Sequence, residues 1–184
     1  MNQQLIVTAM GENRAGLVSD LTQLIHQQGG NIVDSRMAQF GEEFLITLLL
    51  AGDPAIIDRL EVILPGAAAE MQLLTMTKRT RPRAPVNLAH IVHVKLQGND
   101  APGVLAGVSA LLAERDVNIV TLRSDSIGKD SQHPLHISMN LDVPERTSTN
   151  DLKQALQAYC AEQQIQCRFI ETDSSDSDHP KRYL

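Results

Sequence analysis

Gly11-Glu12-Asn13-Arg14-Ala15-Gly16-Leu17-Val18, followed further on by Asn31-Ile32-Val33, returns as Gly98-Asn99-Asp100-Ala101-Pro102-Gly103-Val104-Leu105 and Asn118-Ile119-Val120. The offset is 87 in both stretches, and it holds without a gap from Val7 and Val94 through Leu24 and Leu111 to Arg36 and Arg123. Two unrelated amphipathic helices could share an apolar spacing. They would not also share two glycines flanking a loop and an Asn-Ile-Val triplet. Self-similarity at a fixed offset reads as duplication, here of a unit large enough to be a small domain.

Working outward from the loop, each copy opens with a strand whose alternate residues are apolar: Leu5, Val7 and Ala9, then Val92, Val94 and Leu96. Behind the loop, Leu17, Val18, Leu21, Leu24 and Ile25 match Val104, Leu105, Val108, Leu111 and Leu112 at helical spacing. Gly29-Gly30 ends the first helix where a left-handed cap is wanted; Asp116-Val117 stands there in the second, which predicts a less clean end. A hairpin follows, running from Asn31 to about Phe40, turning at Gly41-Glu42-Glu43 and returning over Phe44–Leu50 as a central strand. Asp53 caps a helix with Pro54 first, burying Ile56, Ile57, Leu60, Ile63 and Leu64, before a last strand from Met71 to Thr77. The second copy alternates through Leu135, Ile137, Met139 and Leu141, buries Leu152, Leu156 and Tyr159, and closes on a strand from Ile165 to Glu171.

Strand, helix, hairpin, helix, strand is the ferredoxin-like βαββαβ arrangement, an α+β fold with an antiparallel sheet and both helices on one face. The expected organisation is domain 1 over 1–79, a linker over 80–88, domain 2 over 89–171 and a frayed acidic tail over 172–184. Lys78–Pro85 is basic and proline-punctuated, as a semi-rigid linker is. Domains this small bury only about 60% of the unfolded chain's surface, so pairing of the copies, or of two chains as a homo-oligomer, is the expected cover for the open sheet faces.

Sixteen basic against 22 acidic residues leave a net charge of −6, and aromatic residues make up 3%. Such a chain repels a polyphosphate and has little with which to stack bases, so no direct nucleic-acid contact is expected. No leader or membrane-length apolar run is evident, and the expected location is the cytoplasm. Cys160 and Cys167 fit neither a zinc pair nor a disulfide framework and read as reduced core thiols. His90 with His93, and His133 with His136, are three apart on strands, which aims each pair to opposite faces. Neither a metal site, a cofactor site nor a catalytic constellation is expected, and the chain does not read as an enzyme.

What remains is the loop before the first helix of each copy. A helix N-terminus offers unpaired N–H groups and the positive end of a dipole, a seat for a carboxylate. Gly16 and Gly103 admit a ligand close to the backbone, with Leu17 and Val104 opening the helices. Asn13 or Asp100 can accept from an ammonium group, and Asn31 or Asn118 can close the far side. The structural alternative is that Asn13 and Asp100 satisfy loop and helix-end amides, and that the glycines serve only helix–sheet packing.

A polar residue, Pro-Gly or its variant, then an apolar helix ending in a Gly/Asx-Asn-Ile element resembles the ACT domain, an amino-acid-binding regulatory module. In that family this loop and helix N-terminus clasp a free amino acid where two modules meet. Ala15 stands where the family's proline would be, which loosens the first loop. Asn31–Ala38, Gly41-Glu42-Glu43-Phe44, the Lys78–Pro85 stretch and Leu135-His136-Ile137 are similar to one group, the glycine cleavage system transcriptional repressors, over about residues 5–171. The resemblance implies repression through contact with a DNA-bound activator protein, relieved by glycine. A rival reading is a dissociable regulatory subunit of an amino-acid-metabolising enzyme. A direct DNA or RNA binder ranks last on the charge argument.

Overall fold

The structure, a computed structural model, describes residues 3–81, 91–99, 102–126 and 134–171. The chain divides into two compact units. The first carries β1 (Gln3–Glu12), α1 (Leu17–Gln27), β2 (Asn31–Phe40), β3 (Glu43–Gly52), α2 (Pro54–Glu70) and β4 (Leu74–Thr80). The second repeats the order with β5 (Ile91–Asn99), α3 (Val104–Ala113), β6 (Asn118–Ser126), β7 (Pro134–Asp142), α4 (Thr149–Glu162) and β8 (Gln166–Glu171). Each forms one four-stranded antiparallel sheet, ordered β2-β3-β1-β4 and β6-β7-β5-β8.

The period-2 and period-3.6 patterns meet in one core per unit. Leu5, Val7 and Ala9 of β1 and Phe44, Ile46, Leu48 and Leu50 of β3 are buried against Leu17, Leu21 and Ile25 of α1 and Ile57, Leu60 and Leu64 of α2. Val92, Val94 and Leu96, with Leu135, Ile137, Met139 and Leu141, meet Val104, Val108, Leu112, Leu152, Leu156 and Cys160. Val18, expected in the stripe, is instead exposed. Both edge strands carry a bulge at equivalent places, Val33 between Ile32 and Asp34 and Val120 between Ile119 and Thr121, so the duplication extends to an irregularity that periodicity does not reveal.

Three expectations need correction. Asp116 takes the left-handed conformation of Gly29 (φ 56° and 82°), and Val117 N–H donates to the Leu112 carbonyl at 3.0 Å as Gly30 does to Ile25. The second helix thus ends as cleanly as the first, aspartate being one of the few L-residues that enter that region. Helix α2 runs on through Pro65 to Glu70, and its strand starts at Leu74 rather than Met71. Lys78, Arg79 and Thr80 consequently finish β4 instead of opening a linker. Arg79 donates to Glu61, Asp58 and Gln3, and the bonds to Glu61, then Asp58, hold its pKa above the ordinary arginine value. Residues 82–88 of the expected linker, the first two residues of expected domain 2 (89–90) and the tail (172–184) lie outside the described residues.

The faces away from the helices differ between copies. In the first, register places Met10 between Leu45 and Leu74, Thr8 between Thr47 and Met76, and Ile6 between Leu49 and Lys78. In the second the same rows read His136-Gln97-Gln166, Ser138-Lys95-Arg168 and Asn140-His93-Ile170. The fold tolerates either chemistry there, since neither face contributes to the shared core.

Candidate functional site

Both β–α loops end on a glycine in a conformation that L-residues avoid: Gly16 at φ 87°, ψ −14° and Gly103 at φ 92°, ψ −6°. Each occupies the N-cap position and, having no side chain, caps none of the first amides of α1 and α3. A Cβ at either glycine would meet no atom of the described residues within 4 Å. Close packing therefore does not explain these two residues. It does explain their neighbours: a Cβ at Gly11 would stand 2.7 Å from the Gln72 carbonyl oxygen, and one at Gly98 would stand 3.0–3.2 Å from Ile165 and the Gln164 oxygen. Of the glycines flanking each loop, the outer one seats the following helix–strand turn and the inner one opens the helix end.

The structure sorts the expected site residues. Leu17 and Val104 are 2% exposed, so their side chains belong to the core and only their backbone can face a ligand. Leu17 N–H already points to the Arg14 carbonyl at 3.4 Å, a long bond. Asn13 donates its backbone N–H to the Glu42 carbonyl (3.1 Å) and its side-chain amide to Gln39 Oε1 (3.4 Å), which ties the loop to the β2–β3 hairpin. Its side-chain oxygen has no partner among the described residues and can still accept. Asp100 lies outside them.

Asn31 and Asn118 are not brought to the loop of their own unit. Asn31 pairs with Ala51, which pairs with Gln4, eight residues down β1 from Glu12; at about 3.3 Å per residue that is about 26 Å away. Asn118 sits at the corresponding level, opposite Asp142 and thence Ile91. Helix α1 carries the chain from the loop end of the sheet to the other end, so residues that follow the helix cannot close a site at its start.

Two features escape sequence reading. Arg14 donates from both terminal nitrogens to Asp20 Oδ2 at 3.1 Å, a half-exposed ion pair spanning the mouth of α1. The second copy has Ala101 and Gly107 at those positions, so only the first loop carries this charge pair. A concavity of about 290 Å³ adjoins the second loop, lined by Gln97, Gly98, Asn99, Pro134, Gln164 and Gln166. Its walls come from three strands and the α4–β8 turn, and no local motif announces it. Tyr159 of α4 lies over Gly107 and points its hydroxyl at the Val104 carbonyl (3.5 Å), bracing the first turn of α3. Among the described residues no three His, Cys, Asp or Glu side chains are grouped to hold a metal ion, and no helix is long and apolar enough to cross a membrane.

Comparison with known proteins agrees with the fold. Residues 3–78 and, separately, 92–161 match the ACT domain family. The chain is 35% identical over 162 residues to the glycine cleavage system transcriptional repressor of Escherichia coli (strain K12), covering 86% of this chain and 84% of that one. The Shigella flexneri repressor gives the same figures. A crystal structure ascribed to a glycine cleavage system transcriptional repressor is 29% identical with a TM-score of 0.73, covering 94% of this chain and 99% of that one. A Galdieria sulphuraria protein of unknown function, 22% identical with a TM-score of 0.74 and the same coverage, shares the fold.

Proposed function

Because this chain belongs to the ACT-domain family and is a homologue of the glycine cleavage system transcriptional repressors, we propose that it represses by contact with a DNA-bound activator protein and releases it on binding a small amino acid, glycine first. The observation that carries the ligand half is the pair of left-handed glycines, Gly16 and Gly103, each at a helix N-terminus without a side-chain cap and, among the described residues, with open space beside it. A carboxylate is the group such a terminus accepts. Asn13, and by its equivalent place in the sequence Asp100, are the acceptors proposed for its ammonium group, Leu17 and Val104 contribute backbone only, and Asn31 and Asn118 drop out of the loop sites of their own units.

The protein-mediated half is supported by charge. A net −6 with no dedicated basic module leaves DNA affinity to a partner. Homology to a repressor favours this reading over an enzyme's regulatory subunit. The setting proposed for it is the cytoplasm. Glycine has five non-hydrogen atoms, so at a ceiling of about −1.5 kcal/mol per atom its binding reaches at most about −7.5 kcal/mol, a Kd of a few micromolar. Calorimetric titration with a panel of amino acids, beside a gel shift of promoter DNA at physiological salt, tests both halves. Micromolar or weaker glycine binding without a DNA shift is expected. A specific shift by the chain alone overturns the protein-mediated mechanism, and heat from none of the amino acids overturns the sensor.

A further inference from the structure

The α4–β8 corner of the second unit carries two thiols for which repression and ligand binding have no use. Cys160 is fully buried near the end of α4, and Cys167 is partly buried on β8, opposite Leu96 and so on the helix-facing side. The chain reverses through Gln164 (φ 57°), and Ile165 N–H donates to the Cys160 carbonyl at 2.7 Å. Ile165 and Cys167, two apart on a strand, then share one face. That reversal packs Cys167 against the core cluster that contains Cys160. Interaction between the two thiols, and behind it burial, holds Cys160 as the protonated partner, while the same interaction favours the thiolate at Cys167.

The first copy shows that the fold does not require this pair. There Leu73 N–H donates to the Ala68 carbonyl at 2.9 Å, which puts Ala68 in the place of Cys160. Thr75 pairs with Ala9, the counterpart of Leu96, and so stands in the place of Cys167. One of the two equivalent corners sets a helix cysteine against a cysteine of the edge strand β8; the other has neither.

We propose that Cys160 and Cys167 are an oxidisable dithiol that closes to an intramolecular disulfide when the chain meets a hydroperoxide. The Cys167 thiolate attacks the outer peroxide oxygen, the O–O bond breaks, and the leaving oxygen departs as water or an alcohol, giving a sulfenic acid. The Cys160 sulfur then displaces the sulfenic oxygen as water. Two thiols and one hydroperoxide become one disulfide, one water and one further water or alcohol, the two electrons passing to the O–O bond. The disulfide pins the Gln164–Ile165 turn, against which Gly98 packs at the entrance to the second loop. The redox state thereby reaches that loop, a consequence whose functional meaning rests on the ligand reading above.

The test is stoichiometric hydrogen peroxide on the full native chain, read by thiol titration, intact mass and hydrogen exchange, none of which depends on amino-acid binding. Expected are loss of both thiols, a mass lower by two hydrogens, no dimer, recovery with a dithiol reductant, and about tenfold slower exchange at Gln164 and Ile165. Cys160→Ala and Cys167→Thr, the residues the first copy carries, keep the test independent of folding. Cys160→Ala should stop at a sulfenic acid on Cys167 that a 1,3-dione captures. Retention of both thiols in the native wild type while the denatured chain reacts, or oxidation that yields only interchain disulfide, overturns the dithiol. Unchanged exchange at the turn in the oxidised chain overturns its link to the loop.

Discussion

Replacing Gly103 by glutamate separates a ligand seat from a merely structural turn. At φ 92° an L-residue costs about 1–2 kcal/mol, and because a Cβ there would meet none of the described residues within 4 Å, they add no packing penalty to it. Against a typical stability of about 5–15 kcal/mol the variant stays folded. The new carboxylate stands at the mouth of α3, about 5 Å from a ligand carboxylate. With an effective dielectric between about 20 and 80, their repulsion is about 1–3 kcal/mol, about a 5- to 150-fold loss of affinity. Gly103→Gln carries the same backbone cost and nearly the same bulk without the charge, so it isolates the electrostatic part. Calorimetric titration with glycine, each variant made alone and with its equivalent at Gly16, should show Glu binding more weakly than Gln by that factor. Urea denaturation should show the two equally stable within about 0.5 kcal/mol. Equal glycine affinity in the folded Glu and Gln variants refutes the reasoning and removes the seat from the helix end.

Gly11→Ala should cost about 1–3 kcal/mol in urea denaturation, since its Cβ would stand 2.7 Å from the Gln72 carbonyl oxygen and 2.9 Å from Leu73 Cδ2. Leu156→Ala, fully buried in the second core, should cost about 2–5 kcal/mol by the same measurement. Ser148→Ala should cost about 1 kcal/mol, because the Ser148 hydroxyl accepts from Asp151 N–H at the start of α4.

The fold was legible because its two signals are local and doubled. Alternation through Leu5, Val7 and Ala9 marks a half-buried strand wherever it occurs, and the offset of 87 repeats every element beside its counterpart. Element ends were less legible where a residue type misleads. Pro65 suggests a boundary, yet α2 continues past it, because the buried Leu64 and Ala68 keep the helical stripe on the core. Asp116 lacks a glycine's freedom on paper but reaches the same left-handed cap. Within the site, the glycines were readable as glycines but not as two kinds. Only three-dimensional packing tells Gly11 and Gly98, which seat a turn, from Gly16 and Gly103, which face open space. Asn31 and Asn118 follow closely on the first helix of each copy in sequence, yet each helix carries its asparagine to the opposite end of the sheet.

Capture of the activator on the immobilised full-length chain, with and without glycine, tests the central claim most directly. The account predicts capture that weakens as glycine rises, with the activator weakening glycine binding by the same factor, as linkage demands. Capture indifferent to glycine and to every other amino acid in the panel, or no capture beside specific binding of promoter DNA by the chain alone, would contradict it.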